Sequence, residues 1–574
     1  MCRVELLDAL DPEQREVALA TRGAVCVLAG AGTGKTRAIT HRIAYAVTTG
    51  AMDPAHVLAL TFTVRAAGEL RGRLRQLGAG RVRASTFHAA ALRQLNYFWP
   101  RIVGGRPPQL IDSKISLVRE AAREAKVRLP AAADAASEIE WAKTLQIRPD
   151  GYANAAVAAG RLSSAGDLTA ADMAATYFCY EQLRRERHLI DFESALELTA
   201  AIFFENRLAA DQVRDAFRYF VVDEFQDVSP LQKLLLEAWL GDRDDICVVG
   251  DPHQTIYTFA GATSSYLTGF ATEFPGAAVV RLVRDYRSTP QLVAVANQLI
   301  KATTPLVAQR KPGPSPLLTM FNNEADEASG LTVQVRALLA SGVSAREIAV
   351  LVRINAHTER FESALTEAKV PYVVRGAERF YDRPVVKQAL VLMRGAARSG
   401  AVGDPGSAGS NGLPEAVRHI LTSMGFGPTP LGGTGQAQAR ERWESLAAIA
   451  QLAEDMHAQR PEVTVADFAA ELTQRAELGH APAVDGVTIT TMHAAKGLEW
   501  DAVFLPGLIE GVVPIVYARM PQAIEEERRL LYVAVTRARE HLYLSWAPAK
   551  APGNRPTRER SQFLRDLRLG GRHG

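Results

Sequence analysis

The segment VCVLAGAGTGKTRAIT, residues 25–40, reads as a short apolar strand, a loop of small residues and a helix. It fits the phosphate-binding pattern GxxxxGK[ST] with one departure, because Ala29 stands at the first glycine position. In such a loop the glycines let backbone N–H groups point inward at a phosphate, while the lysine adds positive charge and the hydroxyl binds Mg²⁺. The residues predicted to surround the phosphates and their Mg²⁺ are Ala29, Gly30, Ala31, Gly32, Thr33, Gly34, Lys35 and Thr36.

A second apolar strand ends in two carboxylates, in the segment FVVDEFQD at residues 220–227. Asp223 is predicted to hold Mg²⁺ through its waters, and Glu224 to polarise the water that attacks the nucleotide. The wide sequence separation between Lys35 and Asp223 predicts an inserted, mostly helical domain between the two motifs.

The composition is that of an ordinary globular protein. The chain has 574 residues, with 47% hydrophobic and 22% charged residues, and this length predicts two to four domains. The formal net charge of +3 does not by itself argue for nucleic acid, so only local basic patches could do so.

Cysteine usage and hydropathy exclude several classes. The four cysteines, Cys2, Cys26, Cys179 and Cys247, are far apart, which excludes a sequence-evident zinc ribbon or a cysteine-ligated iron–sulfur cluster and suggests a reducing compartment. No apolar run reaches the roughly 18 residues of a membrane helix, and no signal-peptide core is evident at the N-terminus. A cytoplasmic protein without a membrane partner is expected.

Strand and helix signals predict an α/β fold with two α/β regions, each interrupted by a helical insertion. Residues 399–414 are predicted to form a flexible loop, because glycine, serine and proline dominate there. Strands are predicted at 24–29, 57–61, 219–225, 246–251, 348–352, 372–374, 487–492, 501–507 and 541–546.

The order of motifs along the chain resembles the UvrD/Rep/PcrA family of superfamily 1A DNA helicases. The matching segments include DALDPEQREVA, LAGAGTGKTR, VVDEFQDVSPLQ, VVGDPHQTIYTFAGA, LVRDYRSTPQL, VTITTMHAAKGLEWDAVFLPG and EEERRLLYVAVTRARE. The resemblance implies two RecA-like P-loop domains and ATP with Mg²⁺. It makes Gln14 the reader of the adenine edge, with Arg37 near the base and Tyr286 stacked on it.

The same resemblance assigns further nucleotide contacts. Arg287 and Arg537 would be the two γ-phosphate arginines, Gln254 would sense the γ-phosphate, and Glu499 would lie at the ribose. Arginines from a second domain suit this chemistry, because hydrolysis needs charge neutralised on the γ-phosphoryl group.

DNA binding is expected from aromatic and basic residues. Phe62, Phe87, Tyr257 and Phe259 follow predicted strand ends and are candidates for base stacking, with core packing as the alternative for each ring. Arginines at 65, 71, 73, 75, 81 and 83 form a candidate phosphate-binding stretch that starts at Arg65, with a solvated helix face as the alternative. By resemblance, His88, Asn355 and His493 also lie near DNA.

The resemblance also implies domain boundaries. Residues 1–90 and 191–282 would form the ATP-binding RecA-like domain 1A, with 91–190 as the helical insertion 1B. Residues 283–384 and 485–574 would form RecA-like domain 2A, with 385–484 as insertion 2B. This second insertion is visibly shorter than is usual in the family.

Two further departures affect the expected function. The family usually has Trp then Arg where this chain has Phe259 then Ala260, so the loop that links the ATP state to DNA grip is expected to be weakened. The chain also ends soon after its final predicted strand, so any C-terminal interaction module is expected to be absent or to lie beyond residue 574.

The expected function is an ATP-dependent 3′-to-5′ DNA helicase and single-stranded DNA translocase in DNA repair or replication maintenance. Its expected partners are single-stranded DNA, 3′-tailed duplex DNA and DNA-repair proteins. One alternative is a DNA-dependent ATPase translocase that strips proteins from DNA and unwinds poorly alone. A catalytically silent DNA-binding subunit is the non-enzymatic alternative, against which the complete set Lys35, Asp223, Glu224, Arg287 and Arg537 argues.

Overall fold

A computed structural model gives the fold of the protein. It describes residues 3–111, 113–129, 132–161, 169–375, 384–399, 412–424, 426–427, 445–446, 449–450, 452–454, 456–457, 460, 462–478, 486–516, 518–550, 552–565 and 567.

Sixteen strands lie within these described residues. In chain order they are β1 (Val25–Ala29), β2 (Val57–Thr61), β3 (Arg83–Thr86), β4 (Gln109–Leu110), β5 (Leu189–Ile190), β6 (Tyr219–Val222), β7 (Ile246–Gly250), β8 (Ala278–Leu282), β9 (Arg284–Asp285), β10 (Val307–Ala308), β11 (Leu317–Met320), β12 (Ile348–Val352), β13 (Tyr372–Arg375), β14 (Val487–Thr491), β15 (Trp500–Leu505) and β16 (Ala538–Trp546).

Helices surround and connect these strands. They span Arg3–Asp8, Pro12–Leu19, Lys35–Thr48, Val64–Gln76, Phe87–Ile102, Lys114–Glu124, Ala132–Thr144, Tyr152–Ala158, Ala170–Glu186, Phe192–Glu205, Arg207–Ala216, Pro230–Leu240, Ser265–Thr268, Phe270–Glu273, Pro290–Ile300, Glu324–Ala340, Thr358–Glu367, Pro384–Ser399, Gly412–Thr422, Val465–Leu478 and Pro521–Val535.

The first large sheet has the strand order β3-β2-β6-β7-β1-β8, and all its neighbouring pairs are parallel. Its central strands are buried on both faces. Val25 and Val27 belong to one apolar core, whereas Cys26 between them belongs to the core on the opposite face. Since both faces are covered, the strands read as continuous apolar runs, and their carboxyl ends meet at one edge of the sheet.

The second large sheet has the order β11-β16-β15-β12-β14-β13, again with parallel pairs throughout. The predicted α/β class is therefore confirmed, and each of the two large sheets is parallel. Two short parallel pairs, β4 with β5 and β9 with β10, complete the strand pairing among the described residues.

Two helical regions have apolar cores of their own. One core gathers residues between Leu117 and Leu183, and the other gathers residues between Val386 and Leu472. The boundaries of the two insertions, and of the four domains as a whole, stay predictions.

Strong side-chain bonds join the first helical region to the Phe192–Glu205 helix. The Lys143 ammonium lies 2.6 Å from Glu181, 2.9 Å from Asp191 and 2.7 Å from the Ser194 hydroxyl, and all of these groups are buried. Lys114 makes a similar ion pair of 2.5 Å with Glu193 on the same helix.

The chain divides into two compact units. The first comprises Met1–Arg287, Ile300–Arg310 and Met520–Tyr532, and the second comprises Ser288–Leu299, Lys311–Arg519 and Val533–Gly574. Across the described residues, no helix combines the length and apolar character needed to cross a membrane.

Several predicted strand boundaries coincide with the structure, notably β2 and β12. The final strand begins at Ala538, three residues before its predicted start. Residues 400–411 of the predicted loop at 399–414 lie outside the described residues, as does much of 385–484. The loop prediction was wrong at residue 399, where the Pro384–Ser399 helix ends, and at residues 412–414, because a helix begins at Gly412.

Candidate nucleotide-binding and DNA-binding site

The phosphate-binding loop joins the end of β1 to the Lys35–Thr48 helix at the carboxyl edge of the first sheet. Gly32 and Gly34 have φ values of 70° and 78°, which glycine adopts without strain. A Cβ on Gly32 would lie 2.4 Å from an Asp285 oxygen, and one on Gly34 would lie 2.6 Å from the Gln14 amide nitrogen. A side chain at either position would therefore displace Asp285 or Gln14 and strain the backbone.

Lys35 is a buried cation with a single weak partner. Its Nζ lies 3.6 Å from Oε2 of Glu224 and has no hydrogen-bond partner in the part of the chain that the structure describes. A buried ammonium ordinarily has its donors satisfied. The local geometry therefore leaves donor capacity at Lys35 for an anionic ligand.

Asp223 and Glu224 follow directly after β6. Burial, and next the negative charge of Glu224, raises the pKa of Asp223 to about 7. A cation beside this carboxylate would reverse that shift, since an opposite charge favours the ionised form. Glu224 has a φ of 54°, which is uncommon for a residue with a side chain and marks a constrained backbone.

Gln14 and Tyr286 lie together at one end of the phosphate-binding loop. The Gln14 side chain donates to the Thr33 carbonyl at 3.0 Å, and its backbone N–H donates to Asp11 at 2.7 Å. The Tyr286 hydroxyl donates to the other oxygen of Asp11 at 2.7 Å, while its ring is half-exposed. The structure thus brings together the amide and the ring that were predicted to bind the base.

Two arginines predicted near the nucleotide also belong to this first unit. The exposed Arg37 side chain donates to the Ala9 carbonyl close to the adenine-side cluster. The Arg287 backbone N–H donates to Asp285 at 2.8 Å, and Asp285 is the carboxylate against Gly32. The carboxylate that accepts from the Arg287 backbone therefore lies against the phosphate-binding loop.

Gln254 lies in a short loop after β7, residues 251–260, which we call the coupling loop. The Gln254 amide donates to Asp251 at 2.9 Å, and both side chains are buried. Tyr257 and Phe259 follow with ring centroids 6.1 Å apart. Phe259 is 53% exposed. Tyr257 is more buried, and this burial raises the pKa of its hydroxyl to about 12.

The Pro521–Val535 helix holds the coupling loop from one side. Glu526 accepts from the backbone N–H of Thr258 at 3.0 Å and also from its hydroxyl. Arg529 donates to the Thr255 carbonyl at 2.8 Å, and the Tyr532 hydroxyl donates to Asp251 at 3.3 Å.

From the helical region between residues 114 and 186, Arg161 donates to the Phe259 carbonyl at 3.0 Å. The backbone of the coupling loop is therefore fixed at several points while the Phe259 ring stays exposed.

The structure corrects one predicted DNA contact. Phe87 is 1% exposed and packs its ring parallel to Trp239 at a centroid distance of 6.1 Å. It is a core residue, so its prediction as a base-stacking ring was wrong. Phe62 is only partly buried, 6.4 Å from Phe87, and remains a candidate.

His88 follows Phe87 and is partly buried against Phe192, with ring centroids 5.5 Å apart. Burial, and next the charge of Lys114, lowers the pKa of His88 to about 4. The ring is therefore neutral at neutral pH. His88 can contribute a hydrogen bond or a stacking face to DNA, but no charge.

The arginine stretch 65–83 does not form one surface. Arg65 is exposed and pairs with Glu69 at 2.8 Å, whereas Arg71 donates to the Ala84 carbonyl at 2.8 Å. At 100° per residue these two arginines lie on different sides of the Val64–Gln76 helix.

The remaining arginines of this stretch also fall into two groups, those that interact with other residues of the protein and those that are exposed. Arg83 lies over the Phe217 ring at 5.2 Å, and Arg73 acts electrostatically on Asp223. Arg75 and Arg81 are exposed and stay the best candidates for phosphate contacts.

Four predicted residues belong to the second unit. Asn355 is exposed in a short helical turn after β12. His493 follows β14, and burial, then Arg353 and Lys496, lowers its pKa to about 4. These two positions follow neighbouring strands of the second sheet, so they lie at one edge with basic side chains beside them.

Glu499 and Arg537 also lie in the second unit, and both already interact with other residues of that unit. Glu499 pairs with Arg539 at 3.0 Å. The buried Arg537 guanidinium donates to the carbonyls of Val533 and Leu498 and to the Thr536 hydroxyl, at 2.9, 3.1 and 3.0 Å. The described conformation thus holds Arg537 firmly within its own unit.

Two family models match the chain over most of its length. The model described as the UvrD/REP helicase N-terminal domain matches residues 10–275, and the model described as the UvrD-like helicase C-terminal domain matches residues 280–400 and 414–549. The chain belongs to the UvrD/REP helicase family.

Two curated relatives of this family align along nearly the whole chain. The chain is 48% identical to a Mycobacterium tuberculosis H37Rv protein named ATP-dependent DNA helicase UvrD2, over 98% of this chain and 82% of the relative. It is 26% identical to a Staphylococcus aureus MRSA252 protein named ATP-dependent DNA helicase PcrA, over 98% of this chain and 86% of the relative.

The UvrD/REP family implies ATP, and the residues of the site fit this ligand. The glycine-lined loop and the unsatisfied Lys35 ammonium suit phosphates, while the Gln14 amide and the Tyr286 ring suit a base. The buried Asp223 carboxylate and the Thr36 hydroxyl suit Mg²⁺ carried by the nucleotide.

Sequence reasoning missed several residues that organise this UvrD/REP site. They are Asp11, Gln226, Asp251, Asp285, Glu526, Arg529 and Tyr532. Asp11 had a signal, since an Asp before Pro12 is a common helix start. The others act through contacts between segments that lie far apart in the sequence.

Proposed function

We propose that this protein is an ATP-dependent DNA helicase that translocates 3′ to 5′ along single-stranded DNA. The observation that carries the proposal is the buried Lys35 ammonium, which has only Glu224 at 3.6 Å and no hydrogen bond within the described residues. Such a group gains most from a phosphate. The printed names of the two relatives, each an ATP-dependent DNA helicase, support the DNA part of the proposal.

Each residue of the proposed site has a chemical role. Water attacks the γ-phosphorus of ATP, the bond to the β-γ bridging oxygen breaks, and Glu224 takes the proton that the water loses. Lys35 neutralises charge on the outer phosphates, and Arg287 and Arg537 are proposed to do the same for the transferring group. Mg²⁺, held by Thr36 and Asp223, would neutralise further phosphate charge.

Gln14, Arg37 and Tyr286 are proposed to hold the base, and Glu499 to contact the ribose. Gln254 is proposed to sense the γ-phosphate. Phe62, Tyr257 and Phe259 would stack on bases, whereas His88, Asn355 and His493 would make polar contacts with the strand. The proposal includes a cytoplasmic location and a role in DNA repair or replication maintenance, since the motor needs ATP and DNA in one compartment.

A two-part measurement tests this proposal. ATP turnover is measured with and without single-stranded DNA, and strand separation is measured on duplexes with a 3′ or a 5′ single-stranded tail. We expect DNA to stimulate turnover and the 3′-tailed duplex alone to open. Glu224→Gln is the matched control, because its amide cannot accept the proton although ATP still binds. Equal opening of both duplexes would contradict the proposed polarity.

A second candidate function has one observation in its favour. Phe259 offers a smaller stacking face than tryptophan, and the neighbouring Ala260 has no side-chain donor for DNA. A translocase that strips proteins from DNA and unwinds poorly alone would tolerate this looser grip. DNA-stimulated turnover without opening of either tailed duplex would favour this candidate.

A further inference from the structure

Gln226 lies between the candidate catalytic base and the coupling loop. Its side chain is fully buried in the short turn after Glu224. The amide nitrogen donates to Oε2 of Glu224 at 2.6 Å, and the amide oxygen accepts from the backbone N–H of Asp251 at 3.0 Å. One side chain therefore touches both the group proposed to activate water and the first residue of the coupling loop.

The backbone at Gly250 permits this close approach. A Cβ on Gly250 would lie 2.3 Å from the Gln226 amide oxygen and 3.2 Å from the Gln226 backbone nitrogen. Hence a side chain at position 250 would push the amide away from its place. Because Gly250 has no side chain, the Gln226 amide has room to lie against the loop.

Asp251 connects this amide to the rest of the coupling loop. Its carboxylate accepts from the Gln254 amide at 2.9 Å, from the His253 backbone N–H at 2.9 Å and from the Tyr532 hydroxyl at 3.3 Å. Movement of the loop would therefore move the Asp251 N–H, which is the group that holds the amide oxygen of Gln226.

The Glu224 oxygen that accepts from Gln226 is also the oxygen that faces Lys35 at 3.6 Å. A carboxylate is a weaker proton acceptor when a cation and a hydrogen-bond donor both stabilise its charged form. Nucleotide phosphates would compete for Lys35, whereas Gln226 bonds Glu224 through a separate amide donor. The bond from Gln226 would then be the restraint left on the base once ATP has bound.

We propose that Gln226 is a positioning residue that holds Glu224 in a resting position, and that movement of the coupling loop on single-stranded DNA releases it. The proposal deepens the function proposed above and rests on it. It assigns DNA stimulation of ATP turnover to a path of two contacts, from Asp251 to Gln226 and from Gln226 to Glu224. Gln226 itself touches neither water nor nucleotide in this role.

The test is the ratio of DNA-stimulated to basal kcat for ATP in the full chain, with oligo(dT) as the DNA. Gln226→Met keeps a similar side-chain length but removes the bonds to Glu224 and Asp251 and the longer 3.4 Å contact with Asp227, so we expect the ratio to fall. The expected fall is roughly 10-fold or more, the size of one hydrogen bond to a charged group, with a basal kcat equal to or above the wild-type value. Affinities for a fluorescent ATP analogue and for oligo(dT) should stay near wild type.

Gln232→Met is the matched control. Gln232 is also a buried glutamine, but its side chain serves the capping box of the Pro230–Leu240 helix through Ser229. Its loss should lower the free energy of unfolding and leave the stimulation ratio unchanged. Gln226→Leu is a second variant in case the methionine variant does not fold, because it is a smaller apolar side chain at the same buried position. It cannot donate to Glu224, so the ratio should again fall.

Two outcomes overturn the inference. If basal and DNA-stimulated kcat fall by the same factor in the Gln226 variants, Gln226 only orients Glu224 and does not take part in the stimulation by DNA. If the ratio is unchanged, release of Glu224 follows another path. A wild-type chain that hydrolyses ATP without any DNA stimulation would instead remove the proposed function, and the inference with it.

Discussion

Lys35 and Lys143 lie in the same compact unit, and their side chains are both nearly buried, at 12% and 4% exposure. Lys143 has the Glu181 and Asp191 carboxylates and the Ser194 hydroxyl within 2.9 Å. Lys35 has one carboxylate at 3.6 Å and no hydrogen bond within the described residues. The satisfaction of their donors therefore separates these two lysines: Lys143 has its donors bonded within the protein, whereas Lys35 keeps donors for the phosphates that the sequence pattern predicts.

The largest expected effect comes from removing the unsatisfied lysine. Lys35→Ala should abolish ATP hydrolysis, because the outer phosphates lose their cation. The Tm should change little, because Lys35 makes no hydrogen bond with any residue that the structure describes. Phosphate release and thermal unfolding of the same preparation measure both quantities. Turnover at the wild-type rate would show that Lys35 does not bind the nucleotide.

The two predicted γ-phosphate arginines test whether a bonded cation can still be catalytic. The Arg537 guanidinium donates three hydrogen bonds within its own unit, as a structural cation would, but the family resemblance predicts a catalytic role. Arg287→Ala and Arg537→Ala should each lower kcat by on the order of 10³–10⁵, by analogy with arginine fingers. The double variant should lose far less than the product, since both side chains act on one closed state. A large loss of stability with a near-normal kcat in Arg537→Ala would show that Arg537, like Lys143, has a structural role and is not catalytic.

Removing the satisfied lysine should affect stability instead of rate. Lys143→Met should lower the free energy of unfolding by about 3–5 kcal/mol, because the Glu181 and Asp191 carboxylates are left buried without their cation. The kcat of the folded fraction should stay within a few-fold of wild type. Denaturant unfolding and active-site titration measure the two effects, and an unchanged stability would contradict the structural role of Lys143.

The same ion cluster predicts a pH dependence. Burial alone would raise the pKa of Asp191, but the positive charges of Lys143 and Lys114 hold it below the ordinary value of 3.8. A lowered carboxylate pKa stabilises the fold above about pH 4, and that stabilisation is lost as the pH falls further. Lys143→Met should make this acid-side loss smaller.

Most element boundaries at the nucleotide site followed from the sequence, because strand–loop–helix patterns are local. Phe87 was misassigned because an aromatic residue after a strand has the same pattern whether its ring enters the core or a groove. Gln226 was missed although it lies inside the quoted DEFQD segment, since its role depends on the Asp251 backbone 25 residues later. The Lys143–Asp191 pair depends in the same way on the packing of separate helices.

The surface arginines extend the comparison to DNA. Replacing the exposed Arg75 and Arg81 by glutamine should weaken single-stranded DNA binding equally for all sequences. The slope of log affinity against log salt should flatten by roughly 0.7 for each lost phosphate contact. Arg71→Gln is the control, because Arg71 already donates to the Ala84 carbonyl. An unchanged slope in the double variant would assign Arg75 and Arg81 to a solvated surface.

The smallest expected effect concerns the exposed ring of the coupling loop. Phe259→Trp combined with Ala260→Arg should raise the number of base pairs opened per ATP by a few-fold at most, since stacking is worth roughly 1–3 kcal/mol per base. Tyr257→Ala should lower that number and largely spare ATP binding. Phosphate release and strand separation are followed in one reaction. If the ratio does not change in the double variant, the predicted shortness of the second insertion would become the better explanation for any loose coupling between ATP hydrolysis and unwinding.

The buried ions around Lys143 also have a thermal consequence. The hydration of charged groups becomes less favourable as temperature rises, so the cost of keeping Lys143, Glu181 and Asp191 out of water falls on heating. The stabilisation from buried apolar contacts does not increase on heating in the same way. The joint between this helical region and the Phe192–Glu205 helix should therefore weaken less on warming than the apolar packing around it.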